Sequence, residues 1–146
     1  YDLAVSGHDH TDILSSYSAK MSIPYAVAAG LLYGKAGLQE FSEDSVKDEG
    51  IADLVKKIKV SADNVLSSLF PCIQAAAVTV KTKNDVFSDR VDFPKGEPEN
   101  PLTAEEFRDR YNGLMEYAGV DPGIYATVFD NVYHDNVKVE ELVMYL

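Results

Sequence analysis

Apolar residues recur along this chain with two different periods, and the alternation between them predicts the order of elements. Residues 1–5, YDLAV, read as the closing half of a strand whose beginning lies upstream. The polar stretch from Ser6 to Ser18, which contains His8-Asp9-His10, reads as a loop. The segment SIPYAVAAGLLYG then carries helix signals: Ser22 to cap, Pro24 in the first turn where a missing N–H costs nothing, and Gly34 to close. It is apolar almost all round, which predicts a helix covered on several sides. Ile51, Leu54, Val55 and Ile58 fall at i, i+3, i+4 and i+7, the spacing of one helical face, with Asp48 placed to cap and Asp53, Lys56 and Lys57 turned to water.

Beyond Pro71 the period changes to that of strands. Residues 73–82 and 86–93 are β-rich runs separated by Lys83-Asn84-Asp85, which predicts a hairpin. A proline-punctuated loop follows, from Pro94 to Pro101. Thr103-Ala104-Glu105-Glu106 is a capping box, opening a helix with Phe107, Tyr111, Leu114 and Ala118 on one side and Gly119 at its end. Two shorter amphipathic segments close the chain, one from Pro122 with Ile124, Val128, Phe129 and Val132, the other around Val139, Leu142, Val143 and Leu146. No period of 20 to 50 residues repeats. The order predicts an α+β fold: an antiparallel sheet with a hairpin packed by helices, plus C-terminal helical segments.

Charge and composition narrow the partners. The chain has 146 residues, enough for one domain with its own core, and is 46% hydrophobic and 25% charged, which excludes a disordered or fibrous class. Its 24 acidic against 13 basic side chains give a net charge of -11, so phosphate backbones and anionic membrane faces are repelled. No apolar run is long enough to span a bilayer, so neither nucleic acid nor membrane is an expected partner. The single cysteine, Cys72, forms no internal bridge, and a reducing cytoplasm is the simplest compartment.

Four residues stand out as candidates for binding an anion. Gly96 lets the backbone approach a ligand closely, and Lys95 beside it is a mobile point charge suited to a carboxylate; the competing reading is a solvated turn. Ser22, with the N-terminal amides of its helix, suits a carboxylate too, although an ordinary N-cap explains it by itself. Lys20 lies two residues before it. His8-Asp9-His10 offers metal-ligand chemistry, but no further ligand cluster accompanies it and His134 stands alone, so a polar loop is the stronger reading and no metal is expected. Cys72 has no nearby His or CxxC partner, which favours a buried structural thiol. Tyr25 and Tyr111, on apolar helical faces, read as core or interface.

Two longer stretches carry a resemblance. AKMSIPYAVAAGLLYGKAGLQEF, residues 19–41, resembles the A-K-F-S-x-P-Y-x-V-A-x-A-L-x-x-G signature that opens the second domain of the MmgE/PrpD family, with Met21 in place of the family's Phe. RVDFPKGEPENPLTAEEF, residues 90–107, is similar to the family's R-V-x-x-P-K-G-x-P-x-N-P-L-x-x-x-E. The resemblance implies a two-domain enzyme: a large helical domain with the catalytic His, Lys and Asp, and a smaller α+β lid that closes over the site. Known members include 2-methylcitrate dehydratase, cis-aconitate decarboxylase and iminodisuccinate epimerase, which are lyases and an isomerase and need no metal or cofactor. By that resemblance residues 1–119 are the lid, residues 120–146 a helical tail packing on the helical domain, and the full-length protein is a homo-oligomer such as a dimer. Lys95, Gly96, Ser22 and Lys20 would contact a small carboxylate substrate, and no catalytic residue lies in this chain. The rival reading is a non-catalytic interaction module.

Overall fold

The computed structural model describes residues 2–123 of the chain. The chain divides into two compact units, Tyr1–Leu102 and Thr103–Leu146. The first begins with a 3-10 turn at Asp2–Val5 where the sequence predicts a strand. Among the described residues no strand pairs with it, and its backbone closes short-range bonds in place of a ladder.

Two helices missed by periodicity are too short to show a repeating face. The first, α1 (Ser16–Lys20), falls partly in the stretch read as loop. Its N-terminus is held from both sides: the Ser15 hydroxyl accepts the Ser18 N–H at 3.2 Å, and Glu43, 27 residues on, accepts the Ser16 N–H at 3.0 Å. α2 (Ile23–Tyr33) has the Ser22 cap, the early proline and a left-handed Gly34 at its end, as the sequence predicts. α3 (Glu49–Val55) is capped by Asp48, whose Oδ1 accepts the N–H groups of Gly50 and Ile51 at 2.7 and 3.3 Å. The other missed helix, α4 (Asn64–Leu69), is capped in the same way by Asp63.

The core of this unit sits where α1, α2 and α3 meet. Ala19, Tyr25, Ala28, Ala29, Ile51 and Val55 are buried there, with Ile13, Phe41, Val46, Leu54 and Ile58 packed around them. Alanines at the contact let the helix backbones approach, and Tyr25 fills the remaining volume: its ring lies 5.2 Å from that of Phe41, and its hydroxyl donates to the Glu40 carbonyl at 2.7 Å. Only one side of α2 is covered. Ile23, Leu31, Leu32 and Tyr33 remain partly open to solvent, against the expectation that a helix apolar all round is enclosed.

The hairpin is formed by β1 (Ala76–Lys81) and β2 (Val86–Val91), antiparallel, with Ala76 opposite Val91 and Lys81 opposite Val86. Thr82 builds the turn: its N–H donates to the Asp85 carbonyl at 2.8 Å and its hydroxyl accepts the Asp85 N–H at 3.0 Å. Alternation puts Val78, Val80, Phe87 and Val91 on one face, and Thr79, Lys81, Ser88 and Arg90 on the other. Val78, Phe87 and Val91 stay exposed, so no helix of this unit covers that face, which also carries Asp89 opposite Val78.

In the second unit the described residues form α5 (Ala104–Ala118), opened by the predicted capping box: the Thr103 hydroxyl accepts the Glu106 N–H, and the Glu106 carboxylate accepts the Thr103 N–H. Gly119, with φ of 68°, closes it. Tyr111 is half-buried. The amphipathic segments from Ile124 to Leu146 lie outside the described residues, as does His134. The described residues are α+β with a two-stranded antiparallel sheet.

Candidate functional site

The four candidates fall at two places in the first unit: Lys20 and Ser22 bracket Met21 at the junction of α1 and α2, and Lys95 with Gly96 lies in the loop after β2. At the junction Lys20 is exposed on the last turn of α1, while Ser22 is only 2% exposed. The Ser22 hydroxyl is used twice within the protein, donating to the His10 carbonyl at 2.7 Å and accepting the Tyr25 N–H at 3.2 Å. The other orphan amides of α2 are also taken: Ser22 donates to the Ala19 carbonyl at 3.1 Å, Ile23 donates to the His8 carbonyl at 2.8 Å, and Pro24 has none. Ser22 thus holds the backbone that presents Lys20, and the helix start has no spare donor.

The loop before this junction is pinned to it by both histidines. His8 Nδ1 lies 2.9 Å from the Met21 carbonyl; His10 places Nδ1 2.9 Å from the Gly7 carbonyl and Nε2 3.1 Å from the Ser18 carbonyl. The imidazoles of His8-Asp9-His10 are therefore engaged with backbone, and no group of three or more His, Cys, Asp or Glu is placed to hold a metal ion among the described residues.

The loop carrying Lys95 is self-supporting. The Gly96 N–H donates to the Asn100 carbonyl at 2.8 Å, the Asn100 N–H to the Glu97 carbonyl at 2.9 Å, and the Asn100 side-chain amide to the Phe93 carbonyl at 2.9 Å. Gly96 has φ of 105°, a conformation that glycine adopts without strain, and no atom lies within 4 Å of where a Cβ would stand. The left-handed turn, not close approach of another protein atom, therefore requires glycine here. Lys95 is exposed. A cleft of about 230 Å³ beside the loop is bordered by Cys72, Gln74, Pro94, Glu97 and Glu99, and its two carboxylates make it unsuited to an anion. Cys72 is exposed, contrary to the buried thiol expected.

Ionisable groups around the core are set by their neighbours. Burial, followed by the charges of Asp48 and Glu40, raises the Tyr25 hydroxyl above its ordinary value and keeps it a donor. Tyr33 donates to Asp48 Oδ2 at 2.7 Å; that bond, with lesser help from its surroundings, pushes the phenol up to about 12. The same bond, with the amides of Ile51 and Gly50, holds the Asp48 carboxyl below the usual range. Burial alone would raise Glu40, but the Gly37 N–H at 2.9 Å, its own amide and Lys35 at 3.4 Å outweigh this and leave it lowered. The Ser16 hydroxyl and amide lower Glu43, with Lys47 and Lys20 adding to the effect. Sequence periodicity carried no sign of the Tyr33–Asp48 and Ser16–Glu43 contacts, which join residues 15 and 27 positions apart.

No helix among the described residues is long and apolar enough to cross a membrane. A family model, described as the MmgE/PrpD C-terminal domain, matches residues 3–121. No curated protein matches the chain.

Proposed function

This chain belongs to the MmgE/PrpD family, whose C-terminal domain it carries over residues 3–121, and from that premise we propose that it is the lid of an enzyme acting on a tricarboxylate-like acid. The reaction is general acid/base chemistry at a carbon next to a carboxylate, giving dehydration, decarboxylation or epimerisation. Loss of a proton or of carbon dioxide at such a carbon builds negative charge on a substrate that is already an anion. Cationic and hydrogen-bonding groups that meet this charge in a water-poor site lower the barrier. The lid supplies Lys20 and Lys95; Ser22 and Gly96 hold the backbone that carries them, and the proton-transferring groups belong to the helical domain.

The observation that carries the reading, beside the family match, is that both lysines are exposed on hydrogen-bonded backbone in a chain of net charge -11. An anion entering such a field is repelled except where a cation is held toward it. The test is to assay the full-length protein with methylcitrate, cis-aconitate and iminodisuccinate, following loss of water, release of carbon dioxide and inversion. Turnover of one of them supports the reading. Inertness toward all three favours the second reading, a non-catalytic interaction module, for which Leu14 and Tyr17, 81% and 74% exposed, are the supporting observation. On the first reading those side chains dock on the helical domain, and the full-length protein works in the cytoplasm as a homo-oligomer, which sedimentation and cell fractionation would check.

A further inference from the structure

The loop that carries Lys95 is closed largely by one residue. Asn100 donates from its side-chain amide to the Phe93 carbonyl at 2.9 Å, accepts the Gly96 N–H at 2.8 Å, and donates its own N–H to the Glu97 carbonyl at 2.9 Å. Inside this frame the Glu97 N–H donates to the Pro94 carbonyl at 3.2 Å, so residues 94–97 form a β-turn. Lys95 stands at its second corner and Gly96, with φ of 105°, at its third, as in a type II turn. Pro101 keeps Asn100 out of the helical region, and Asn100 pairs with Glu97 in an isolated antiparallel bridge. Any residue but proline makes the two backbone bonds at position 100. The reach back to Phe93 needs a side-chain donor on a short stem, and asparagine has one.

We propose that Asn100 is a positioning residue for Lys95: its amide ties the end of the loop to Phe93, two residues beyond β2, and so fixes the direction in which the turn carries the lysine. This rests on the role given to Lys95 in the function proposed above. A lysine ammonium rides on a flexible four-carbon stem, so the volume it searches is set by where its backbone is held. The neighbouring glycine has wide conformational freedom, and a turn built on it swings unless its ends are fastened. Asn100 and Phe93 are both half-buried, so water competes only in part for the bond between them. Asn100 itself need not touch substrate.

The experiment is a double-mutant cycle on kcat/KM in the full-length protein, with Asn100→Ala, Lys95→Ala and the double variant. The substrate is whichever of methylcitrate, cis-aconitate and iminodisuccinate is turned over, and hydrogen exchange at the Gly96 amide is followed in parallel. Asn100→Ala should lower kcat/KM about three- to tenfold, the size of one net hydrogen bond, and should have no further effect once Lys95 is alanine. The Gly96 amide should exchange faster by a similar factor, because opening the loop then breaks one bond fewer. Asn100→Leu, which keeps bulk but has no donor, should match Asn100→Ala; wild-type behaviour in it assigns the effect to packing and overturns the proposal. An equal loss in both Lys95 backgrounds also overturns it, since a residue that merely supports the fold acts without regard to Lys95. So does unchanged Gly96 exchange, or a wild-type kcat/KM in Asn100→Ala where Lys95→Ala is impaired. Inertness toward all three acids, or a wild-type kcat/KM in Lys95→Ala, instead sinks the function proposed for Lys95 and the positioning role with it, whatever the exchange result.

Discussion

Tyr25 is the side chain on which the helical core depends most, and its two contributions separate cleanly by substitution. Tyr25→Phe keeps the ring against Phe41 and removes only the hydroxyl that donates to the Glu40 carbonyl at 2.7 Å. Tyr25 is fully buried, so that carbonyl loses its donor in a place water does not reach, which costs about 1 to 3 kcal/mol. Tyr25→Ala removes the ring as well and opens a cavity between α2 and its neighbours, for about 3 to 5 kcal/mol. A protein with more than one compact unit does not unfold in a single step, so the assay is native-state hydrogen exchange at the α2 amides of Ala28 and Ala29. Where those amides exchange through opening of this core, Tyr25→Phe should speed exchange by about five- to a hundredfold and Tyr25→Ala by more than a hundredfold. Unchanged exchange in Tyr25→Phe would refute the buried bond. Equal effects of the two substitutions would refute the packing contribution of the ring.

Asp48→Ala should remove both the cap of α3 and the acceptor for Tyr33, and a spectrophotometric titration should show one phenol falling from about 12 toward the ordinary tyrosine range. Because Glu40, Glu43 and Asp48 are lowered in the folded state, their stabilisation is present above the unfolded carboxylate range of about 4 and is lost as pH falls through the folded values; Glu40→Gln should make melting temperature less steeply dependent on pH on the acid side. For Tyr25 and Tyr33 the sign is opposite: raised in the fold, they stabilise below about pH 10 and cease to do so as pH rises through their folded values, which circular dichroism at high pH would follow. Gly96→Ala meets no atom but must adopt φ of 105°, so it should cost about 1 to 2 kcal/mol through backbone strain alone, read as a lower melting temperature with Lys95 displaced.

Local signals read well wherever a structure is decided within a few residues. Ser22 with Pro24, Asp48 and the capping box at Thr103 each satisfy backbone donors close by in sequence and predicted their helices, and the turn residues Lys83-Asn84-Asp85 predicted the hairpin. What escaped was decided at a distance or by too few residues. α1 has only five residues, and one of its caps is supplied by Glu43 from 27 positions away. Residues 2–5 have strand chemistry but no strand to pair with among the described residues, and form a 3-10 turn. Cys72 looks like a buried thiol by residue type, yet burial depends on tertiary packing, and the side chain is exposed. At the candidate site the residues were visible in the sequence, but the occupation of the Ser22 hydroxyl and of every amide at the start of α2 was not, because the acceptors His8 and His10 come from a loop with no regular period.

The central claim, a lid that meets an anionic substrate with lysine, is tested most directly by kcat/KM of Lys95→Ala in the full-length protein, measured beside Lys83→Ala in the exposed hairpin turn. Loss of a charge-assisted hydrogen bond in a closed site is worth roughly 1.5 to 3 kcal/mol, so Lys95→Ala should lower kcat/KM about ten- to a hundredfold with the melting temperature nearly unchanged, while Lys83→Ala stays at the wild-type value. The same near-wild-type kcat/KM in both variants would contradict the account.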